Sequence, residues 1–208
     1  ALTFIDDCLL MSKTINLHVG TLNRVLAALA AYNLTLNPKK CKIACREVGF
    51  VGHIVSAEGV RADPNKVKAI EALTLPQSAA DMRTALGKMG YYRKMIKGFS
   101  ALSFPLRKKM DMPSAWRKGP DGQVVYSVEE SDGFFKLRDA LKHEPIMGNP
   151  DFSKPMALHC DASYKGLGST LINKIDGVER VISYASRSLT PAEKNYGVWE
   201  LEALCCIW

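Results

Sequence analysis

Short apolar runs of β character lie at both ends of the chain and helical spacing dominates the middle. "ALTFIDDCLLMS" puts apolar residues on both sides of an acidic doublet and predicts a hairpin over residues 1–13 with Asp6-Asp7 at its turn. Thr14 then caps a helix in which Leu22, Val25, Leu26 and Leu29 recur at the i, i+3, i+4, i+7 spacing of one face. "NLTLNPKKCKI" ends that helix and turns into a strand, and "VGFVGHIVS" followed by "AEGV" predicts a second hairpin. Asp63-Pro64 supplies the N-cap and first position of a helix to about Leu73. Ser78-x-x-Asp81 forms a capping box ahead of "MRTALGKMGYYRKMIKGF", another helical region.

Residues 111–128 carry Pro, Gly and mixed charge and read as a connector, after which "SDGFFKLRDALKH" is helical. The pattern then changes. "MALHCDAS", "GLGSTLINK" and "RVISYAS" are three short strands, the last two joined around Asp176-Gly177, a hairpin dipeptide. Thr190-Pro191-Ala192-Glu193 opens a last helix that runs to Trp208. There is no internal repeat and no low-complexity segment.

Composition narrows the class. With 208 residues, 47% hydrophobic and 24% charged, the chain has material for a packed core, in one large or two small domains. No apolar stretch approaches a membrane span, and nothing reads as a signal peptide. The abrupt ends point to a piece of a longer polypeptide. Net charge is +7, and the excess is local: Met82 to Lys118 holds ten Lys or Arg against one acid, Asp111. That is either a solvated basic face or a surface that tracks phosphates. The six cysteines show no C-x-x-C spacing, which favours reduced, buried thiols in an intracellular protein over a zinc knuckle. His53, His143 and His159 are too scattered to suggest metal-ligand spacing.

The doublet is the first candidate for chemistry. On a straight strand Asp6 and Asp7 face opposite ways, but at a hairpin tip both carboxylates approach one point. Two anions there repel, so either a pKa rises or a divalent cation sits between them. A plain Asp-Asp turn is the bland alternative.

The order of the later segments carries more weight than the doublet alone. "FIDD" precedes an amphipathic helix, then "LNPKKCKI", "VGFVGHIVSAEGVRADPNKVKAI" and "LGKMGYYRKMIKGFSALSFPL", in that order. This succession resembles the reverse transcriptase of long-terminal-repeat retrotransposons of the Gypsy/Ty3 kind, over essentially the whole chain. The resemblance implies an α+β chain: the C-terminal part of a right-hand polymerase palm (1–60), a helical thumb (61–110), a connector (111–152), and the first part of a ribonuclease H-like α/β domain (153–208).

The resemblance also assigns roles. "FIDD" looks like the polymerase metal hairpin, with Asp6 and Asp7 as ligands of Mg²⁺ or Mn²⁺ and Phe4 where the family usually has tyrosine. "PKK" looks like the motif whose lysine lies near the incoming deoxynucleoside triphosphate, Lys40 or its rival Lys39. "FVGH" (Phe50, Val51, Gly52, His53) looks like the hairpin that grips the primer end, and Tyr91, Tyr92 and Arg93 are candidate duplex contacts, or simply two packed rings and a surface arginine. "LHCDASYKGLGSTL" with "ISYASRSLTPAEKNYGVWELEAL" resembles the start of the tethered ribonuclease H, with Asp161 and Glu202 as metal ligands that cut RNA in RNA–DNA hybrids. Geometry alone does not choose between Glu200 and Glu202; the motif selects Glu202. Between about 111 and 130 the match is loose, with Tyr126 where the family tends to have tryptophan.

A third polymerase carboxylate, the fingers and a further ribonuclease H aspartate are expected outside this sequence. Expected partners are an RNA template, a DNA primer, RNA–DNA hybrid and deoxynucleoside triphosphates, with flanking protease and integrase domains in the polyprotein. The expected location is cytoplasmic, in virus-like particles, with the nucleus as a second site. Two rivals stand beside this reading: an inactive remnant that only binds nucleic acid, and a free-standing α/β enzyme. The second requires a complete, cooperatively folded chain, and against it the last helix is expected to expose Trp199, Leu204, Ile207 and Trp208 with too few strands to cover them.

Overall fold

The computed structural model describes residues 1–142 and 145–208, in two compact units that divide between Ala57 and Glu58. In the first unit, β1 (Leu2–Phe4) and β2 (Asp7–Leu9) form a hairpin. Helix α1 (Ile15–Ala31) begins where the Thr14 hydroxyl accepts from the Leu17 N–H at 3.3 Å. A 3₁₀ turn at Pro38–Lys40 follows, then the hairpin of β3 (Glu47–Phe50) and β4 (His53–Ser56). No strand follows the PKK turn directly: residues 41–46 are irregular. Leu22, Val25 and Leu29 are half-buried and Leu26 is exposed, so the apolar stripe of α1 is only partly covered; Leu9 is the one buried hydrophobic residue among those described in this unit.

The second unit begins with β5 (Val60–Ala62), whose Val60 exchanges both backbone hydrogen bonds with Met147 at 2.8 Å. Gly59 (φ 148°) makes that approach feasible, because a Cβ there would lie 2.2 Å from the Met147 carbonyl oxygen. Helix α2 (Pro64–Glu71) is capped by Asp63 and α3 (Ala79–Tyr91) by Ser78, at the caps the sequence indicates. The helical region that begins at Met82 breaks at Tyr92: a 3₁₀ turn spans Arg93–Met95, and Gly98, in the left-handed region at φ 66°, redirects the chain into α4 (Phe99–Met110). Helix α4 keeps Pro105 in its interior. Helix α5 (Val128–Asp139) is capped reciprocally by Ser127 and Glu130.

These helices share one core. Val67 and Ile70 from α2, Met82, Ala85, Leu86 and Met89 from α3, Phe99 and Leu106 from α4, and Phe134 and Leu137 from α5 are buried at helical spacing. Lys109 is buried among them at 3% exposure. Its ammonium donates to the carbonyls of Ala115 (2.9 Å) and Val125 (2.8 Å) and to Glu130 Oε2 (3.3 Å), beneath the Tyr126 ring at 4.5 Å. The connector is thereby pinned to α4. The Tyr126 hydroxyl donates to the Pro76 carbonyl, and burial, followed by the nearby Glu130 charge, raises its pKa.

The C-terminal part is an antiparallel meander of β6 (Met156–Ser163), β7 (Gly166–Ile175) and β8 (Val178–Arg187). Asp176 (φ 53°) and Gly177 (φ 80°) make the β7–β8 turn, a two-residue type with positive φ at both positions. The last helix starts later than the Thr190 cap suggests. Glu193 accepts from the Thr190 N–H, but its carboxylate is also held in a bidentate pair by Arg187 (2.6 and 2.9 Å), and only a 3₁₀ turn at Glu193–Asn195 results. Tyr196 and Gly197 are extended, and α6 (Val198–Ile207) follows. Leu201 and Cys205 of α6 are buried against Leu167 and Leu189, with Cys160, Ala162 and Leu204 at the edge. Trp199 and Ile207 are exposed, whereas Leu204 is not. Sheet and helices are stitched together where Arg93 donates to the Ser186 carbonyl, the Ser100 N–H donates to Ser186 Oγ (3.0 Å), and the Ser100 and Ser188 hydroxyls meet at 3.0 Å.

Candidate catalytic and nucleic-acid-binding residues

The β1–β2 hairpin closes on the pair Phe4–Asp7, so its two-residue turn is Ile5-Asp6. Asp6 therefore occupies the tip and Asp7 the first ladder position, a correction to a turn made of both aspartates. Ile5 adopts φ 51°, a left-handed conformation that a β-branched residue takes only under strain. Both carboxylates are exposed within this chain, not dry, and neither makes a hydrogen bond or ion pair among the described residues.

Lys39 and Lys40 share the 3₁₀ turn that Asn37 caps by accepting from the Lys39 N–H at 3.1 Å; both side chains are exposed. The "FVGH" tetrapeptide is a hairpin tip. Phe50 pairs with His53, and Val51 (φ 44°) with Gly52 (φ 67°) makes the turn, while His53 Nδ1 lies 2.7 Å from the Val51 carbonyl oxygen.

Tyr92 does not serve as a duplex contact. It is 3% exposed and belongs to the helical core, and burial, with smaller contributions from Tyr91 and Asp63, raises its pKa. Arg93 is exposed, and its guanidinium donates to the Ser186 carbonyl and lies over the Phe99 ring at 5.7 Å. The exposed face of α3 lies elsewhere, on Arg83, Thr84, Gly87, Lys88 and Tyr91. That stripe is the complement of the buried Met82, Ala85, Leu86 and Met89, and reading polar positions at the same period would have found it.

Asp161 and Glu202 come to one strand–helix pair. The Cys205 thiol donates to the carbonyls of Asp161 (3.5 Å) and Gly168 (3.3 Å), and Cys160 donates to the Cys205 carbonyl (3.6 Å). Glu202, one turn before Cys205, is half-buried and unpaired among the described residues. Glu200 is occupied differently: its carboxylate accepts from the Gly197 N–H at 2.7 Å, capping α6. Asp161, exposed, alternates to the side of β6 away from Cys160. Burial, then contacts with the Cys206 and Cys205 thiols, push the Cys160 thiol up to about 11. All six cysteines are free, but only Cys205 is buried.

Among the described residues no group of three or more His, Cys, Asp or Glu is arranged to hold a metal ion. His143 lies outside the described residues. The donor chemistry of Asp6, Asp7, Asp161 and Glu202, carboxylate oxygens without partners among the described residues, suits a hard divalent cation. Among the described residues no helix is long and apolar enough to cross a membrane.

The chain matches two protein families. Residues 1–55 match "Reverse transcriptase (RNA-dependent DNA polymerase)" and residues 126–208 match "RNase H-like domain found in reverse transcriptase". It is 34% identical over 208 residues to the retrovirus-related Pol polyprotein from transposon opus and 32% identical over 216 residues to that from transposon gypsy, both of Drosophila melanogaster. These alignments take in 99% of this chain and 21% and 20% of the polyproteins, so the chain spans about a fifth of the length of these relatives. In fold it is similar to the foamy viral protease-reverse transcriptase in complex with RNA/DNA hybrid, with a TM-score of 0.73 and 20% identity over 95% of this chain and 26% of that one. The chain thus carries a reverse transcriptase part and an RNase H-like part, in that order, and its homologues along nearly its whole length are Gypsy/Ty3-type retrotransposon Pol polyproteins.

Proposed function

We propose that this chain contributes residues to two phosphoryl-transfer sites of its parent polyprotein, one for RNA-directed DNA synthesis and one for hydrolysis of RNA in RNA–DNA hybrids. The observation that carries this reading is how the acids are used. Glu193 and Glu200 are engaged as helix-cap ligands, whereas Asp6, Asp7, Asp161 and Glu202 keep their carboxylates open on the matched segments.

In the first site Asp6 and Asp7 would hold the divalent cation, Mg²⁺ or Mn²⁺, and in the second Asp161 and Glu202 would do so. When bound, that ion supplies Lewis acidity toward phosphoryl oxygens. The chain's own residues position the reactants. The Phe50–His53 turn supports the primer end, so that its 3′-hydroxyl attacks the α-phosphorus of a deoxynucleoside triphosphate and pyrophosphate leaves. Lys40 or Lys39 neutralises the triphosphate. The Arg83, Lys88 and Tyr91 stripe of α3 meets the duplex backbone, where each lysine or arginine displaces counterions and makes binding salt-dependent.

A chimera in which residues 1–208 replace the matching segment of the gypsy polyprotein tests the reading. Mg²⁺-dependent nucleotide incorporation that Asp6→Asn abolishes is the expected result. A chimera that binds primer–template as tightly as the parent yet never extends it would overturn the catalytic reading and leave a binding remnant.

A further inference from the structure

Three thiols meet where the last turn of α6 lies against β6. Cys160 turns toward α6, and its thiol donates at 3.6 Å to the Cys205 carbonyl, which belongs to the peptide unit joining Cys205 to Cys206. The Cys160 thiol is also in contact with the thiols of Cys206 and Cys205. The two helix cysteines are placed differently. Cys205 is 2% exposed, and its thiol is divided between the Asp161 and Gly168 carbonyls at 3.5 and 3.3 Å. Cys206, one residue and about 100° further round the helix, is exposed.

A metal is not what this cluster suits, since among the described residues no three His, Cys, Asp or Glu side chains are arranged to hold one. Hydrogen bonding does not account for it either, because S–H is a weak donor. The arrangement sets a solvent-facing thiol on a helix beside a half-buried thiol on a strand, far apart in sequence and adjacent in space. Cys205, enclosed and bonded to two carbonyls, stands outside that pair. An accessible thiol with a second thiol beside it is the setting in which oxidation ends in a disulfide.

We propose that Cys160 and Cys206 form an oxidisable pair, which an oxidant of the hydroperoxide class joins in a disulfide that ties β6 to α6. The exposed Cys206 thiol meets the peroxide first: its sulfur takes one oxygen as the O–O bond breaks, giving a sulfenic acid and one water. The Cys160 sulfur then attacks the sulfenic sulfur, the S–S bond forms, and the hydroxyl leaves with the Cys160 proton as a second water. The chain loses two hydrogens and two electrons, and a thiol reductant restores them. Cys160 precedes Asp161, and Cys206 lies one turn after Glu202, so the bond clamps together the two elements that carry those acids. The pair does not depend on the proposed catalytic function, since it needs only the two sulfurs.

Brief treatment of the 208-residue chain with hydrogen peroxide, then alkylation of the remaining thiols and peptide mass mapping without reduction, tests it. The expected product is a cross-link between the peptide carrying Cys160 and the peptide carrying Cys205 and Cys206, lighter by two hydrogens and released by dithiothreitol. Cys160→Ser and Cys206→Ser should each abolish it, and Cys205→Ala should leave it. The oxidised chain should melt at a higher temperature than the reduced one, because the bond closes the long 160–206 segment, and Cys206→Ser should show no such rise. A cross-link that survives Cys206→Ser would overturn the pair, as would a Cys206 that stops at the sulfenic or sulfinic acid while Cys160 still alkylates. Cross-links scattered over all six cysteines, the pattern expected of the chain in urea, would overturn it as well.

Discussion

Gly133 on α5 lies directly against the backbone of Leu102 on α4: a Cβ added there would sit 2.6 Å from the Leu102 carbonyl oxygen. The close crossing of these two helices depends on that missing side chain, and it brings Phe134 and Leu137 into the core beside Leu106. Gly133→Ala should therefore destabilise the second unit by about 1–3 kcal/mol, the usual range for overpacking. Gly87→Ala, on the exposed face of α3 with nothing within 4 Å, should stabilise it by roughly 0.5–1 kcal/mol. Urea denaturation of both variants is the check, and equal shifts in one direction would refute the assignment.

Lys109 and Glu130 make the second case. Truncating the lysine leaves a half-buried carboxylate and two carbonyls, those of Ala115 and Val125, without their donor. Breaking such a pair from one side is expected to lower stability by about 3–5 kcal/mol. Lys109→Met should lower the chemical-denaturation midpoint accordingly and expose the connector to proteolysis near Trp116. A variant as stable and as protease-resistant as wild type would show that the connector is held by other means.

Much of this fold is legible in the sequence because local chemistry decides it. Thr14, Asp63 and Ser78 cap helices through side-chain oxygens that reach N–H groups two or three residues on, and Asp176-Gly177 makes the turn its dihedral preferences dictate, whereas the Ser127 cap lies inside the stretch the sequence reads as connector. Local signals mislead where a distant partner competes. Thr190 and Glu193 carry a helix-start signal, but Arg187 claims the glutamate and the helix waits for Gly197. Tyr92 looks like a surface contact, yet it is buried by α3 packing, and Arg93, although exposed, directs its guanidinium to a carbonyl 93 positions away. Helix α4 is masked by Pro105, which local rules place outside helix interiors. At the site, the motif names the acids, and the role of Glu200 is local, a cap on the Gly197 N–H three residues before it.

The Arg187–Glu193 pair predicts a pH dependence. The Arg187 guanidinium, helped by the Thr190 N–H, holds the Glu193 carboxyl down to about 2, below its ordinary 4.5. A carboxyl lowered in the folded state binds its proton more readily when unfolded, so its contribution is complete above pH 4.5 and is lost as the pH falls toward 2. The stability gap between wild type and Glu193→Gln should be widest at neutral pH and close progressively below pH 4.5. Thermal melts at intervals between about pH 7 and pH 3 measure it; a gap that stays constant over that range would contradict the pair.

Glu200 and Glu202 stand two residues apart on α6 and should fail in opposite ways. Glu200 closes the helix start by accepting the Gly197 N–H, so Glu200→Ala removes a cap and should lower stability by about 0.5–2 kcal/mol. RNA cleavage by the gypsy chimera should then persist. Glu202 has no intrachain partner among the described residues, so Glu202→Gln leaves stability nearly unchanged. If its carboxylate is a metal ligand, cleavage of the RNA strand in a hybrid should fall by at least about 100-fold, beyond the loss typical of groups that merely support a ligand. Hybrid binding in EDTA should stay at the wild-type level for both variants. The reverse pattern, with Glu200 needed for cleavage and Glu202 for folding, would move the site around the helix and overturn the choice between the two.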